Sequence, residues 1–128
     1  MTLCLHMEEG GTPVWKDINA DDRSTLYELL KCDCIDIKLW WIGDNRFAFI
    51  FDDSGRLKRR ECTVCGPNAE DLIVGDCLVL GFIPTAPDDF EYRDLDQGEI
   101  ALLNRNLALD MVTEHCLLTN VTMRRYDP

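Results

Sequence analysis

The chain has 128 residues, with 24 acidic against 13 basic side chains and a formal net charge of −11 at pH 7. Its 46% hydrophobic and 29% charged content is an ordinary globular balance, which excludes disorder for most of its length. The acidity argues against direct binding of nucleic acid or an anionic membrane, and favours encounter with basic surfaces.

A chain of this length fits a single domain over residues 1–128. Leu3 to Met7 alternates weakly and reads as a first strand. Gly10-Gly11 marks a turn, and Val14 to Ile18 a second short strand. Asp21-Asp22 precedes Leu26, Leu29 and Leu30 at helical spacing, with the acids placed to suit the helix dipole. Ile35, Ile37, Leu39 and Trp41 then alternate with Asp36, Lys38 and Trp40. After the turn Gly43-Asp44-Asn45, Phe47, Phe49 and Phe51 recur at period two, with Ala48 and Ile50 opposite. The pattern predicts an antiparallel hairpin with Phe, Ile and Trp on its core side. Asp52-Asp53-Ser54-Gly55 predicts a second hairpin turn, with Arg56 to Val64 as the return strand.

Gly66-Pro67-Asn68 breaks the pattern. Cys77 to Ile83 reads as a strand buried on both faces and ended by Pro84 and Pro87. Asp88 to Asp94 predicts an acidic loop carrying Phe90 and Tyr92. Asp96 and Glu99 have capping-box spacing. Ile100, Leu103, Leu107 and Met111 then predict the longest helix, over residues 96–115. Leu117 to Met123 predicts a last strand. The expected fold is α+β: a small, mostly antiparallel sheet with one short and one long helix packed on it.

Val14-Trp15-Lys16-Asp17-Ile18, the helix at Leu26–Leu30, Ile35-Asp36-Ile37, Phe49 to Leu57 and Asp71 to Gly81 form an ordered pattern over residues 12–83. In it the chain resembles a domain-of-unknown-function family of small acidic proteins carried by phages and mobile elements of gut Firmicutes. It departs from the family's pattern at Cys62 to Asn68, where an aliphatic-proline-asparagine segment is usual, and in its long C-terminal helix. The resemblance implies an accessory role in a bacterial host's cytosol, and it transfers no catalytic residue.

The seven cysteines are Cys4, Cys32, Cys34, Cys62, Cys65, Cys77 and Cys116. The N-terminus carries no basic region followed by an apolar stretch, and no apolar run approaches the roughly 20 residues of a membrane span. A cytoplasmic, reducing compartment without disulfides is therefore expected. Cys32, Cys34, Cys62 and Cys65 have the donors for a zinc ion, although only the second pair has knuckle spacing. Reduced core thiols are the commoner outcome, so no cofactor is expected. His6 or His115 beside a cysteine would make a nucleophile–base pair, but nothing in the spacing fixes that geometry.

Arg56, Lys58, Arg59 and Arg60 form the only basic cluster. Neutralisation of Asp52, Asp53 and Glu61 accounts for it. Alternatively it joins Trp40 and Trp41 in a pocket for a nucleotide. Asp88, Asp89, Glu91, Asp94, Asp96 and Glu99 crowd one segment around Phe90 and Tyr92. Carboxylates on one strand face recur at about 6.6 Å. That is similar in scale to the spacing of DNA phosphates, since a duplex carries one charge per roughly 1.7 Å of axis. Phe90 and Tyr92 are either interface anchors or aromatics folded back on the core.

The leading expectation is an anti-CRISPR or anti-restriction type of inhibitor with no enzymatic activity. It would bind the basic groove of a host nuclease through a surface mimicking nucleic acid. A nucleotide sponge or sensor, and an oligomeric phage assembly protein, are the alternatives.

Overall fold

The computed structural model describes residues 2–8, 13–42, 45–55, 57–58, 62–65, 72–87, 89–106, 112–113, 116–118 and 124–125. In chain order these form β1 (Thr2–Met7), β2 (Val14–Ile18), α1 (Arg23–Leu30), β3 (Ile35–Ile42), β4 (Asn45–Asp52), β5 (Cys62–Cys65), β6 (Leu72–Val74), β7 (Cys77–Ala86), β8 (Asp89–Arg93), α2 (Gln97–Asn106), β9 (Val112–Thr113), β10 (Cys116–Leu118) and β11 (Arg124–Arg125). The fold is α+β, as the sequence predicts. The main sheet has strand order β11-β3-β4-β7-β1-β2, with β8 also on β7, and every pairing in it is antiparallel. A second sheet has order β6-β5-β10-β9, with β5 and β10 parallel.

Period-two alternation builds two cores, one on each face of the main sheet. Phe47, Phe49 and Phe51 share one face with Cys77, Val79, Leu5 and Met7. That face is closed by Leu95 and Leu103 around α2 and by Val64 and Ile73 of the second sheet. Ile50, Leu78, Leu80 and Cys4 point the other way, onto Leu26 and Leu30 of α1. Residues Cys77 to Phe82 are all buried, because β7 has a core on both sides.

Both helix starts follow their caps. The Asp22 side chain accepts the Ser24 amide at 3.1 Å and begins α1. Lys31 closes that helix in the left-handed region, φ 54°. Asp96 and Glu99 form the expected reciprocal box: the Glu99 amide donates to Asp96 Oδ1 at 2.8 Å, and the Asp96 amide donates to Glu99 Oε1 at 3.1 Å.

Five expectations need correction. The β3–β4 register sets Trp40 against Phe47 and Ile37 against Ile50. Directly opposed residues share a face, so Trp40 and Ile42 join the phenylalanines, while Ile35 and Ile37 pack under α1. β5, the described strand of the segment expected to return along β4, does not pair with it. β7 holds that edge, and β5 pairs with β6 and β10 instead. β7 runs through Pro84 to Ala86, with a register shift against β8 between those two residues; Pro84 lies opposite Phe90, whose amide is bonded to Asp89 and not to β7, so the missing amide costs the ladder nothing. The acidic segment from Asp89 is strand β8, not a loop. The described part of α2 ends at Asn106, and the β-branched pair Val112–Thr113 is in β9, held by Cys116 and Leu117. The turns at Gly10-Gly11 and Gly43-Asp44 and the break at Gly66-Pro67-Asn68 lie outside the described residues. Among the described residues, no helix is long and apolar enough to cross a membrane.

Candidate functional site

β7 has two halves with different surroundings. Residues Cys77 to Val79 lie between β4 and β1. The last β4 partner is Phe47, opposite Gly81. Beyond it β7 pairs with β8, with Ile83 opposite Glu91, Pro84 opposite Phe90, and Ala86 opposite Asp89. β8 and β1 lie end to end along one edge of β7. The seam is closed by the Leu3 amide donating to Asp94 Oδ1 at 2.6 Å, and by the Leu95 amide donating to the Leu3 carbonyl at 3.4 Å. The end of the β7–β8 hairpin therefore extends past the strands that anchor it. Ile83, Thr85, Ala86, Pro87, Asp89 and Glu91 are exposed there.

The two faces of β8 do different work. Phe90 and Tyr92 are half-buried. Phe90 sits edge-on to the buried Phe82 at 5.6 Å and to Tyr92 at 5.4 Å, so both aromatics lie back against the sheet. The guanidinium of Arg46 covers the Phe82 ring at 5.8 Å. On the opposite face Arg93 crosses Gly81 and donates to both carboxylate oxygens of Glu99, at 2.5 and 2.6 Å. Glu99 is fully buried and so is no part of an exposed acidic surface. Asp94 and Asp96 are exposed but each holds a backbone amide, of Leu3 and Glu99. Asp88 lies outside the described residues. Of the acids predicted to face a partner, Asp89 and Glu91 are the pair the hairpin presents.

A cleft of about 210 Å³ opens beside them. Leu26, Ile35 and Ile37 supply its apolar lining, Phe90 and Tyr92 form one wall, and Asp21, Arg23 and Glu91 border it. Asp21 and Glu91 are exposed. Burial pushes the Tyr92 hydroxyl up to about 12, with Arg23 opposing and Asp21 reinforcing, so it stays a proton donor at neutral pH. The sequence reading missed Asp21, Ile35 and Ile37 as site residues. Each had a structural reading, as helix start or strand core. Only the tertiary fold brings the three together with Phe90 and Tyr92 in one cleft.

The other sequence candidates fall elsewhere. Trp40 is 5% exposed and packs on Phe49 at 4.8 Å in the α2-side core. Trp41, its neighbour in β3, points to the opposite face, so the two do not line one pocket. Lys58 is spent on the buried Asp52, Nζ to Oδ2 at 3.1 Å, which fits the neutralisation reading of the basic cluster. Arg56, Arg59 and Arg60 lie outside the described residues. Cys32 is buried in the core beneath α1 and Cys34 is exposed. The strand bearing Cys62 and Cys65 packs through Val64 into the other core. Among the described residues, no group of three His, Cys, Asp or Glu side chains is disposed to hold a metal ion.

His6 is 3% exposed and its Nε2 has no hydrogen-bond partner among the described residues. Burial lowers its pKa, helped by Lys16. Glu8, the Leu29 backbone and Asp76 act in the opposite sense. Near it, Lys31 Nζ lies 3.5 Å from the buried Asp76 carboxylate and 3.8 Å from Glu8. Cys4 lies two residues before His6 on β1, and burial raises its thiol to about 12. Burial raises the Cys77 thiol as well. These are poor nucleophiles at neutral pH. His115 lies outside the described residues.

No family model, curated protein or solved structure matches the chain.

Proposed function

We propose that the chain is a binding protein of phage or mobile-element type, which inhibits a nucleic-acid-acting enzyme of its host cytosol by docking on that enzyme's basic groove. One observation carries the reading: the β7–β8 hairpin extends beyond its anchoring strands and carries the exposed carboxylates of Asp89 and Glu91 beside exposed Ile83. The hairpin is held at its base by the Leu3–Asp94 seam and the Arg93–Glu99 pair. It therefore offers charge in a fixed geometry, which sets register and encounter rate in a complex. The net charge of −11 adds a long-range attraction to a basic groove. The buried, raised thiols of Cys4 and Cys77 and the enclosed His6 support a non-catalytic role. The nucleotide-pocket alternative loses Trp40 to the core.

The test is cleavage by a panel of restriction and RNA-guided nucleases, with and without the protein, at low and raised salt. Inhibition that weakens with salt, and is lost in an Asp89→Lys/Glu91→Lys variant that still folds, is the expected result. Each exposed pair contributes about 0.2–1 kcal/mol, so two reversals plus new repulsion should weaken inhibition by roughly tenfold or more. Undiminished inhibition by that variant overturns the proposal.

A further inference from the structure

The cleft beside β8 has the size and lining of a seat for one side chain. At about 210 Å³ it falls below the roughly 300–1,000 Å³ of small-molecule sites, which argues against a nucleotide or cofactor. Its apolar lining comes from three separate elements: Leu26 on α1, Ile35 and Ile37 on β3, and Phe90 and Tyr92 on β8. An aromatic or branched aliphatic group entering it meets apolar surface on several sides. The Tyr92 hydroxyl adds one polar handle in the wall.

Charge selects the flanks of such a guest. Asp21 and Glu91 border the cleft from two different elements, against the single cation of Arg23. The neighbouring exposed acids are Asp22 on the α1 side and Asp89 on the hairpin side. A lysine- or arginine-flanked segment finds acidic residues of two elements at the opening against one cation, whereas an acidic segment is repelled.

Strand addition is the other way to bind a segment, and side chains already hold one amide on each of the two strands that line the cleft. The outward Phe90 amide is already taken by Asp89 Oδ1 at 2.8 Å. The Ile37 amide is likewise taken by Asp36 Oδ1 at 2.8 Å. A guest must therefore bind mainly through its side chains at these positions.

We infer that the Leu26–Ile37–Tyr92 cleft is the anchor pocket for a basic segment of the partner protein, which inserts one aromatic or large aliphatic side chain between α1 and β8. The inference rests on the partner-binding reading above and assigns to it the central contact, with Asp89 and Glu91 as the charged surround. An anchor of this kind holds most of the energy of an interface, while surrounding charges steer.

The probes are synthetic peptides with a central Phe or a central Ala between Lys/Arg flanks, and the Phe peptide with Glu flanks. Binding is followed by titration and by NMR shifts of the Leu26, Ile35 and Ile37 methyl groups. The basic Phe peptide should bind about tenfold or more tightly than its Ala counterpart, the scale of burying one large side chain. It should move those methyl signals and fail to bind an Ile37→Trp variant that fills the cleft. A Glu91→Lys variant, altered only at an exposed position, should weaken it severalfold and guards against misfolding of the filled variant. Equal binding of Phe and Ala peptides, with the methyl signals still, overturns the anchor pocket while leaving the acidic-surface reading standing. Equal binding of basic and acidic Phe peptides overturns the partner's stated chemistry. Failure of every basic peptide to bind sinks both readings.

Discussion

Replacing Glu99 by Ala tests how the hairpin is held to the body. Glu99 is fully buried and takes two hydrogen bonds from Arg93, and its Oε1 also accepts the Asp96 amide. Arg93 gets there because the residue opposite it is Gly81. A Cβ at Gly81 would stand 2.6 Å from Arg93 Nη1 and 2.8 Å from Cζ. Removing one partner of a buried pair costs about 3–5 kcal/mol. The Arg93 side chain is 29% exposed, so water partly solvates the stranded guanidinium and the low end applies. The lost half of the capping box is included in that sum. Glu99→Ala should therefore destabilise by about 3 kcal/mol, lowering Tm by roughly 10 °C for a domain of this size. Gly81→Ala should act through the same contact, since its new methyl group is relieved only if Arg93 swings off Glu99. The double variant should then be clearly less destabilised than the sum of the singles. Thermal and urea melts followed by circular dichroism measure all three. A Glu99→Ala loss under about 1 kcal/mol, or strict additivity with Gly81→Ala, refutes the coupling.

Burial and Lys16 hold His6 below its ordinary pKa of 6.5, against the pull of Glu8, the Leu29 backbone and Asp76. The unfolded chain takes up this proton more readily, so stability is whole above about pH 6.5 and falls as pH drops below it. The wild-type melting temperature should fall more steeply between pH 7.5 and 5.5 than that of His6→Gln, and equal slopes would exclude the effect. Among the described cysteines, Cys34 is exposed while Cys4, Cys32 and Cys77 are buried. Alkylation of the folded protein at neutral pH followed by peptide mapping should mark Cys34 at least tenfold faster than those three, a ratio that urea removes. Asp36→Ala and Asp89→Ala each free an outward strand amide, at Ile37 and Phe90. Sedimentation should show concentration-dependent association in the double variant beyond that of the wild type.

Local patterns in the sequence carried much of the fold. Asp22 as a cap, the Asp96–Glu99 box and the alternation of Phe47, Phe49 and Phe51 are all set by neighbours within a few residues, and each appears in place. What failed was what depends on distant partners. The faces of Ile35, Ile37 and Trp40 hang on a register that alternation alone does not fix, because Trp40 and Trp41 are both apolar. Pro84 reads as a strand end until an irregular edge pairing with β8 accommodates it. β5 reads as the partner of β4 until β7, 25 residues after Asp52 at its Cys77 start, takes that edge. For the site, the sequence marked the acidic segment but could not sort its members. Glu99 and Glu91 are the same residue type, and only the packing of α2 on the sheet brings Glu99 against Arg93 while Glu91 stays exposed.

Acidity of this size has a bland explanation in solubility, and the geometry separates the two accounts. Three buried carboxylates are each matched to a cation: Asp52 to Lys58, Asp76 to Lys31, and Glu99 to Arg93. They are part of the architecture and contribute little to the outer field. Asp89 and Glu91 belong to the exposed set, as do Asp33 and Asp53, neither of which lines the cleft. If only net charge mattered, Asp33→Lys/Asp53→Lys and Asp89→Lys/Glu91→Lys would weaken a partner complex equally, because they change the charge by the same amount. If the hairpin is the contact, the second pair should slow association and speed dissociation, while the first slows association alone and only modestly. Surface plasmon resonance against a basic Phe-centred peptide or an inhibited nuclease reads both rates directly. Matching kinetics for the two variants would return the acidity to solubility and leave the hairpin without a role.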